Sequence, residues 1–132
     1  MEAAALAEEY VKRTKPLQPI EMQIVKELES PSLIKRLSEP SVCLVALDER
    51  GKTFSSRALA TQIGLWKADT RIKDLVFVIG GPYGLPEVIT KKARLIWGLG
   101  ELTLPSDLAW VVVAEQLYRA ATINKGMSYH HD

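Results

Sequence analysis

The sequence predicts an α/β fold in which a mostly parallel sheet is flanked by helices. Short apolar runs alternate along the chain with stretches of helical periodicity, the pattern of repeated strand and helix units. One run, Leu75–Ile79, is apolar on both faces, as central strands of parallel sheets are. With 132 residues, 47% of them hydrophobic, the chain has the length and composition of a single globular domain.

The first third of the chain predicts two helices and one strand. Apolar residues at helical spacing indicate a helix over Glu2–Arg13, which ends before two prolines. Alternating apolar and polar residues indicate a strand over Ile20–Val25 with one buried face. Ser30 supplies an N-cap and Pro31 a first-turn proline for a short helix that reaches about residue 37.

The same strand and helix order follows in the centre of the chain. Val42–Leu47 is rich in β-branched and apolar residues, which predicts a strand. We expect Asp48–Lys52 to form the turn that ends it, because these residues favour turns. Ser55 or Ser56 then caps a helix to about residue 67.

The last third begins with a glycine-rich loop. Gly80–Pro86 ends the apolar strand, and a helix is expected from this loop to about Trp97. Leu99–Leu104 is expected to be extended, and Ser106 with Asp107 begins a further helix. A polar tail over residues 124–132 closes the chain.

Composition limits the classes of function. Seventeen basic and sixteen acidic residues give a net charge of +1, so any nucleic-acid contact must come from a local patch. Cys43 is the single cysteine and lies in an apolar run, where a buried small side chain is expected. Apolar runs are too short for a membrane span and the N-terminus lacks signal-peptide order, so we expect a cytoplasmic protein, with neither membrane nor metal as partner.

The glycine loop is the first candidate binding site. Missing side chains at Gly80, Gly81 and Gly84 let a ligand approach backbone N–H groups, and the loop follows the carboxyl end of a parallel strand. The spacing fits neither a P-loop nor the dinucleotide fingerprint. A plain tight turn is the alternative for this pattern taken alone.

Four motifs add a family resemblance to this pattern. Val78–Leu85 has the IGGPxGL signature, Trp97–Pro105 is similar to a second cofactor segment, and Val113–Ala120 to a C-terminal helix, followed by Tyr129 and His130 in the tail. In order and spacing they resemble the ribosomal RNA large subunit methyltransferase H family. The resemblance implies a SPOUT fold with a C-terminal trefoil knot and a protein that acts as a homodimer. In a eukaryote we would expect the protein to be located in an organelle.

The resemblance also implies an activity and a cofactor. In that family a methyl group passes from S-adenosyl-L-methionine to N3 of a pseudouridine in large-subunit rRNA, on the assembled ribosome. Apolar walls and backbone groups would bind the cofactor. The corresponding residues are Leu47, Gly80, Gly81, Gly100, Glu101, Leu102, Thr103, Leu104 and Pro105.

Catalytic candidates lie in the last helix and the tail. Tyr129 and His130 match tail positions that the family places near the partner's cofactor, so we assign them to RNA positioning or proton handling. A solvated terminal histidine is the alternative. Arg119 would fix the tail or contact phosphate, or else form a surface salt bridge with Glu115. Trp97 and Trp110 would stack a base or belong to the core.

Three departures from the family leave two functions open. Ser106 and Trp110 stand where the family usually carries a histidine and an arginine, and the family's first strand is lacking. The first hypothesis is an active rRNA methyltransferase. The alternative is a non-catalytic knotted relative that acts as a ribosome-associated binding or assembly factor.

Overall fold

The computed structural model describes residues 2–23 and 25–131. Within these residues, helices and strands follow in the order α1 (Glu2–Thr14), α2 (Pro31–Leu37), β1 (Val42–Lys52), α3 (Ser56–Ala68), β2 (Asp74–Val78), α4 (Glu87–Lys92), β3 (Leu95–Trp97) and α5 (Ser106–Asn124). The predicted α/β class is confirmed.

The three strands form one parallel sheet with β1 in the centre. Their order is β2-β1-β3, and β1 runs parallel to both neighbours. All five residues from 42 to 46 are buried, which explains why this stretch of β1 is apolar without alternation. The prediction of a parallel sheet flanked by helices is confirmed.

The strand β1 is longer than predicted. It continues to Lys52, so the predicted end at Leu47 was wrong. Both Leu47 and Lys52 pair with Trp97, so the residues between them are left out of the ladder. Turn chemistry is present, since the Asp48 carboxylate accepts a hydrogen bond from the Arg50 N–H at 2.8 Å, but pairing resumes after the turn.

Two predicted helix starts are confirmed by their caps. The Ser30 hydroxyl accepts a hydrogen bond from the Leu33 N–H at 3.2 Å, and Pro31 lies in the first turn of α2. The Ser55 hydroxyl accepts from the Ala58 N–H at 3.1 Å, so Ser55 rather than Ser56 caps α3.

The strand predicted over Ile20–Val25 is wrong for the residues that the structure describes. Residues 20–23 and Val25 are irregular, and Ile24 lies outside the described residues. The alternation has a different cause, because Ile20 and Met22 pack against a cluster formed by α1 and α5. One side of the segment is thus partly buried without pairing to a strand.

The helix predicted to reach Trp97 is shorter. It ends at Lys92, and Leu95–Trp97 forms β3 instead. The Arg94 N–H donates to the Leu44 carbonyl oxygen at 2.8 Å, so pairing with β1 begins just after the helix. Residues 99–104, predicted as extended, form an irregular loop with bends.

The chain divides into two compact units, which we name the sheet unit (residues 25–53 and 66–106) and the helical unit (residues 2–23, 54–65 and 107–131). In the sheet unit, α2 and α4 pack on β1 through a buried cluster of Leu37, Val42, Leu44 and Ile89. In the helical unit, α1 and α5 pack through Ala7, Val11 and Ala114. The expected single-domain organisation stays a prediction.

The N-cap of α2 offers a test of the local fold. We expect Ser30→Ala to lower the free energy of unfolding by about 1 kcal/mol, because the Leu33 N–H loses its acceptor. Urea denaturation would measure this change. Lys35→Ala, a change of an exposed side chain in the same helix, is the control and should stay within about 0.5 kcal/mol of the parent; equal losses in both variants would refute the cap.

Candidate active site

The segments predicted to bind the cofactor follow the strands of the sheet unit at one edge. Ala46 pairs with Val78 and Leu47 with Trp97, so β2 and β3 both end level with residues 46 and 47 of β1, although β1 continues to Lys52. Leu47 therefore lies at the edge where the glycine loop follows β2 and residues 98–105 follow β3. Open parallel sheets bind ligands at this edge.

The glycine loop is a tight turn whose shape depends on missing side chains. The Gly84 N–H donates to the Gly81 carbonyl oxygen at 3.0 Å, and Gly84 has a φ of 79°. A Cβ at Gly80 would lie 2.5 Å from the Gly84 carbonyl carbon. A Cβ at Gly81 would meet no atom within 4 Å, so the loop leaves open space on that side.

The second predicted cofactor segment is tied to β1 by a side chain. Thr103 donates a hydrogen bond from its hydroxyl to the Glu49 carboxylate at 2.7 Å. Gly100 has a φ of 132°, which favours glycine, and a Cβ there would also meet open space. Leu102 is 79% exposed, whereas Leu104 is half-buried. The remaining members, Glu101 and Pro105, are exposed.

A surface cavity of the sheet unit lies elsewhere along β1. None of the predicted cofactor residues lines it. Its lining residues are Asp48, Arg50, Gly51, Lys52, Thr90 and Ile96. The predicted cofactor residues thus form an open edge rather than this cavity.

In the helical unit, the tail turns back along α5. The Gly126 N–H donates to the Ile123 carbonyl oxygen at 3.1 Å and the Met127 N–H to that of Thr122 at 2.9 Å, the two bonds of a Schellman motif. Gly126 has the φ of 72° that this motif requires. The reversal explains how Tyr129 reaches a residue fourteen positions earlier in the chain.

The three catalytic candidates meet around Glu115. Arg119 donates from Nη2 to the Glu115 carboxylate at 2.6 Å, and the Tyr129 hydroxyl donates to the same oxygen at 2.8 Å. The other guanidinium nitrogen of Arg119, Nη1, lies 3.0 Å from His130 Nδ1. Arg119 therefore forms the salt bridge to Glu115 and contacts the tail at once, so the two alternatives for this residue occur together.

The charges of the cluster are set by burial and hydrogen bonding. Burial favours a higher pKa for Glu115, but hydrogen bonds from Arg119 and Tyr129 outweigh it, and the pKa lies below its usual value. Burial, followed by the bond to Glu115, raises the pKa of Tyr129 to about 12. At neutral pH the cluster thus contains a carboxylate, a guanidinium and an un-ionised phenol.

The contact with Arg119 also defines the tautomer of His130. A guanidinium has donors and no acceptor, so Nδ1 of His130 must accept the hydrogen bond. A neutral His130 in this geometry carries its proton on Nε2. It is therefore a hydrogen-bond donor at Nε2 and is not arranged as a base at either nitrogen.

The tryptophans belong to the core of their units. Trp97 is 3% exposed and contacts Phe77 edge to face, with ring centroids 5.9 Å apart. Trp110 is half-buried and packs with the cluster of Ala7 and Val11. The core alternative thus fits both residues, and base stacking by Trp97 is wrong because its ring is buried.

Sequence reasoning missed the roles of three residues. Glu115 was considered only as a salt-bridge partner, although it gathers Arg119 and Tyr129. Glu49 holds the second cofactor segment through Thr103, and no spacing rule links positions 54 residues apart. The position of Gly126 just after a helix was a signal for the tail reversal.

The described residues contain neither a candidate metal site nor a helix suited to a membrane. Residues 2–23 and 25–131 contain no group of three or more histidine, cysteine, aspartate or glutamate side chains able to hold a metal ion. Within the same part of the chain, no helix has the length and apolar character needed to cross a membrane.

Comparison with known proteins first defines the class. The family described as "Predicted SPOUT methyltransferase" matches residues 1–130, nearly the whole chain. An α/β fold with loops at the carboxyl edge of a parallel sheet agrees with this class. The protein is a member of the SPOUT methyltransferases.

Curated relatives define the family within that class. Ribosomal RNA large subunit methyltransferase H of Deinococcus radiodurans is 40% identical over 127 residues, which are 93% of this chain and 85% of the relative. The protein of the same name from Deinococcus deserti is 40% identical over 126 residues, 93% and 86% of the two chains. That of Maridesulfovibrio salexigens is 41% identical over 103 residues, 78% and 65%. The chain therefore belongs to the ribosomal RNA large subunit methyltransferase H family, as its motifs predicted.

The glycine loop permits a matched pair of variants. We expect Gly80→Ala to lower the free energy of unfolding by about 1–3 kcal/mol, because its Cβ would overlap the backbone of Gly84. Gly81→Ala should stay within about 0.5 kcal/mol of the parent, since its Cβ meets open space. Urea denaturation measures both, and equal effects would contradict the loop geometry.

The phenol of Tyr129 should ionise at a higher pH than an ordinary tyrosine. Subtracting the alkaline absorbance titration of Tyr129→Phe from that of the parent should reveal a group with a pKa of about 12. The folded-state pKa exceeds the ordinary value of about 10, so the stability contributed by this phenol is present below pH ~10 and is lost as pH rises through ~12. A difference titration centred near the ordinary value would contradict the partly buried hydrogen bond to Glu115.

Proposed function

We propose that this protein is an S-adenosyl-L-methionine-dependent methyltransferase that modifies N3 of a pseudouridine in large-subunit ribosomal RNA. The observation that carries the proposal is the meeting of Leu47, the glycine loop and residues 98–105 at one carboxyl edge of a parallel sheet. The family membership supports the RNA methyltransferase class. An rRNA substrate would also fit the expected cytoplasmic location.

The residues at the sheet edge fit a cofactor of this kind. Backbone at Gly81 and Gly100 faces open space that a Cβ would begin to fill, and Leu47 and Leu104 are half-buried apolar side chains. S-adenosyl-L-methionine, when bound, supplies an electrophilic methyl group on a sulfonium. We assign its binding to Leu47, Gly80, Gly81, Gly100, Glu101, Leu102, Thr103, Leu104 and Pro105.

The cluster around Glu115 would act by orientation and charge rather than as a base. Tyr129 remains un-ionised at neutral pH, and His130 accepts at Nδ1, so neither is arranged to remove a proton. Arg119 is a fixed cation, and a nearby cation lowers the pKa of an acidic N–H and so favours the ionised base. We therefore assign Arg119, Tyr129 and His130 to positioning the target base and stabilising its anion.

The homodimer and the trefoil knot are parts of the same proposal. Family resemblance implies that the tail of one protomer lies near the cofactor of its partner. In this arrangement the Arg119, Tyr129 and His130 of one copy would serve the sheet edge of the other. Measuring the mass in solution would test the dimer.

A ribosome-associated factor without catalysis is the second candidate function. The observation that favours it is at Ser106 and Trp110, where the family usually carries a histidine and an arginine. Trp110 packs in the helical unit rather than replacing the charge of that arginine. Such a factor would bind ribosomes without transferring a methyl group to their RNA.

Cofactor binding and methyl transfer separate the two candidates. We expect S-adenosyl-L-methionine to bind in calorimetry, and ribosomes that lack the modification to accept labelled methyl at the pseudouridine. Gly81→Arg should abolish binding while leaving the mass in solution unchanged, because the arginine would fill the open space beside the loop. Gly81→Ala is its matched control and should bind.

Each outcome has a defined meaning. Binding without transfer would refute the enzyme and favour the ribosome-associated factor. Binding that survives in Gly81→Arg would refute the cofactor site at the glycine loop. Transfer to a uridine or another base would refute the pseudouridine assignment alone.

A further inference from the structure

Both oxygens of the Glu115 carboxylate accept hydrogen bonds, and the side chain is only 17% exposed. One oxygen accepts from Arg119 and from the Tyr129 hydroxyl, at 2.6 and 2.8 Å. The other accepts from the Gln116 amide at 2.7 Å. A half-buried carboxylate with three different donors costs less to keep charged, and it holds each donor in one orientation.

Support for Glu115 reaches a second helix. The Gln116 side-chain oxygen accepts a hydrogen bond from the Ser56 hydroxyl at 2.6 Å, and Ser56 is the first residue of α3. Gln116 therefore joins α3 to the carboxylate that contacts the tail. The pair Glu115 and Arg119 thus has more partners than an isolated surface salt bridge on one helix.

The tail is held at two points that depend differently on Glu115. The Tyr129 ring also packs edge to face on Tyr118, with centroids 4.7 Å apart, and lies under the Arg119 guanidinium at 4.8 Å. His130 is held through its Nδ1, which accepts from the guanidinium of Arg119. Loss of the carboxylate would leave the contact between Tyr118 and Tyr129 in place but would remove the charged partner that fixes the Arg119 guanidinium beside His130.

From this geometry we infer that Glu115 is the positioning residue of the tail: it fixes Arg119, and through Arg119 it sets the tautomer and orientation of His130. Glu115 itself touches no reacting atom in this role. The kinetic part of the inference rests on the proposed function, whereas the tautomer of His130 does not.

The nitrogen resonances of the histidine rings provide the direct test. When the imidazole is in its neutral form, the parent protein should show His130 in the single tautomer protonated at Nε2. Glu115→Gln should give a mixture of the two tautomers, because the neutral amide lacks the charge that holds the Arg119 guanidinium beside Nδ1. An unchanged single tautomer in Glu115→Gln would overturn the inference.

A matched control is available on α1. Glu9 and Arg13 form a salt bridge with the same spacing of four residues, at 3.4 Å, but about half exposed. Glu9→Gln should leave the His130 resonances unchanged, and a mixture of tautomers there would mean that a general charge effect, not Glu115, is responsible.

If Glu115→Gln does not fold, Arg119→Lys replaces it, since one ammonium cannot bridge Glu115 and His130 as a guanidinium does. A mixture of tautomers is expected in Arg119→Lys as well, and an unchanged single tautomer would overturn the inference.

Kinetics separate positioning from a merely structural role. We expect Glu115→Gln to lower kcat for methyl transfer by roughly tenfold to 100-fold, as misplacement of an orienting group does, with cofactor affinity unchanged. A fall in cofactor affinity with kcat unchanged would contradict positioning. If the parent transfers no methyl group, the proposed function fails, while the tautomer measurement still decides the role of Glu115.

Discussion

The parallel pairing of β1 with both of its neighbours is the constraint on which the sheet unit depends. Ala46 opposite Val78 and Leu47 opposite Trp97 make β2 and β3 end level with residues 46 and 47 of β1. Residues 42–46 are buried without alternation, so both faces of β1 pack against other parts of the chain and hold it in the centre of the sheet. The candidate cofactor edge is thus a consequence of core packing.

Much of the fold was readable from local sequence, and the failures have a common cause. The caps at Ser30 and Ser55 depend on contacts three residues away, so their chemistry is visible in the sequence. The alternation at Ile20 and Met22 correctly indicated burial, but a strand also needs a partner, which alternation cannot reveal. The three-residue strand β3 exists because β1 pairs with it, and its own sequence continues a helical pattern equally well.

The sequence indicated which loops and residues form the candidate site, but it did not indicate how the side chains of these residues are arranged. Family motifs pointed to the glycine loop and to Arg119, Tyr129 and His130. Their arrangement around Glu115 depends on the chain reversal at Gly126, and the hydrogen bond between Thr103 and Glu49 joins distant positions. Such contacts follow from tertiary structure, so the sequence could name the participants without giving their geometry.

In the glycine loop, the glycines are constrained by backbone geometry and the residue between them is not. Its shape depends on main-chain contacts, above all the hydrogen bond from Gly84 to Gly81 and the bare Cα of Gly80. Tyr83, between them in the chain, is fully exposed at the tip of the turn. The side chain at position 83 can therefore vary without altering the backbone of the loop. The geometry of the loop thus requires glycine at positions 80 and 84 and places no demand on the side chain at position 83.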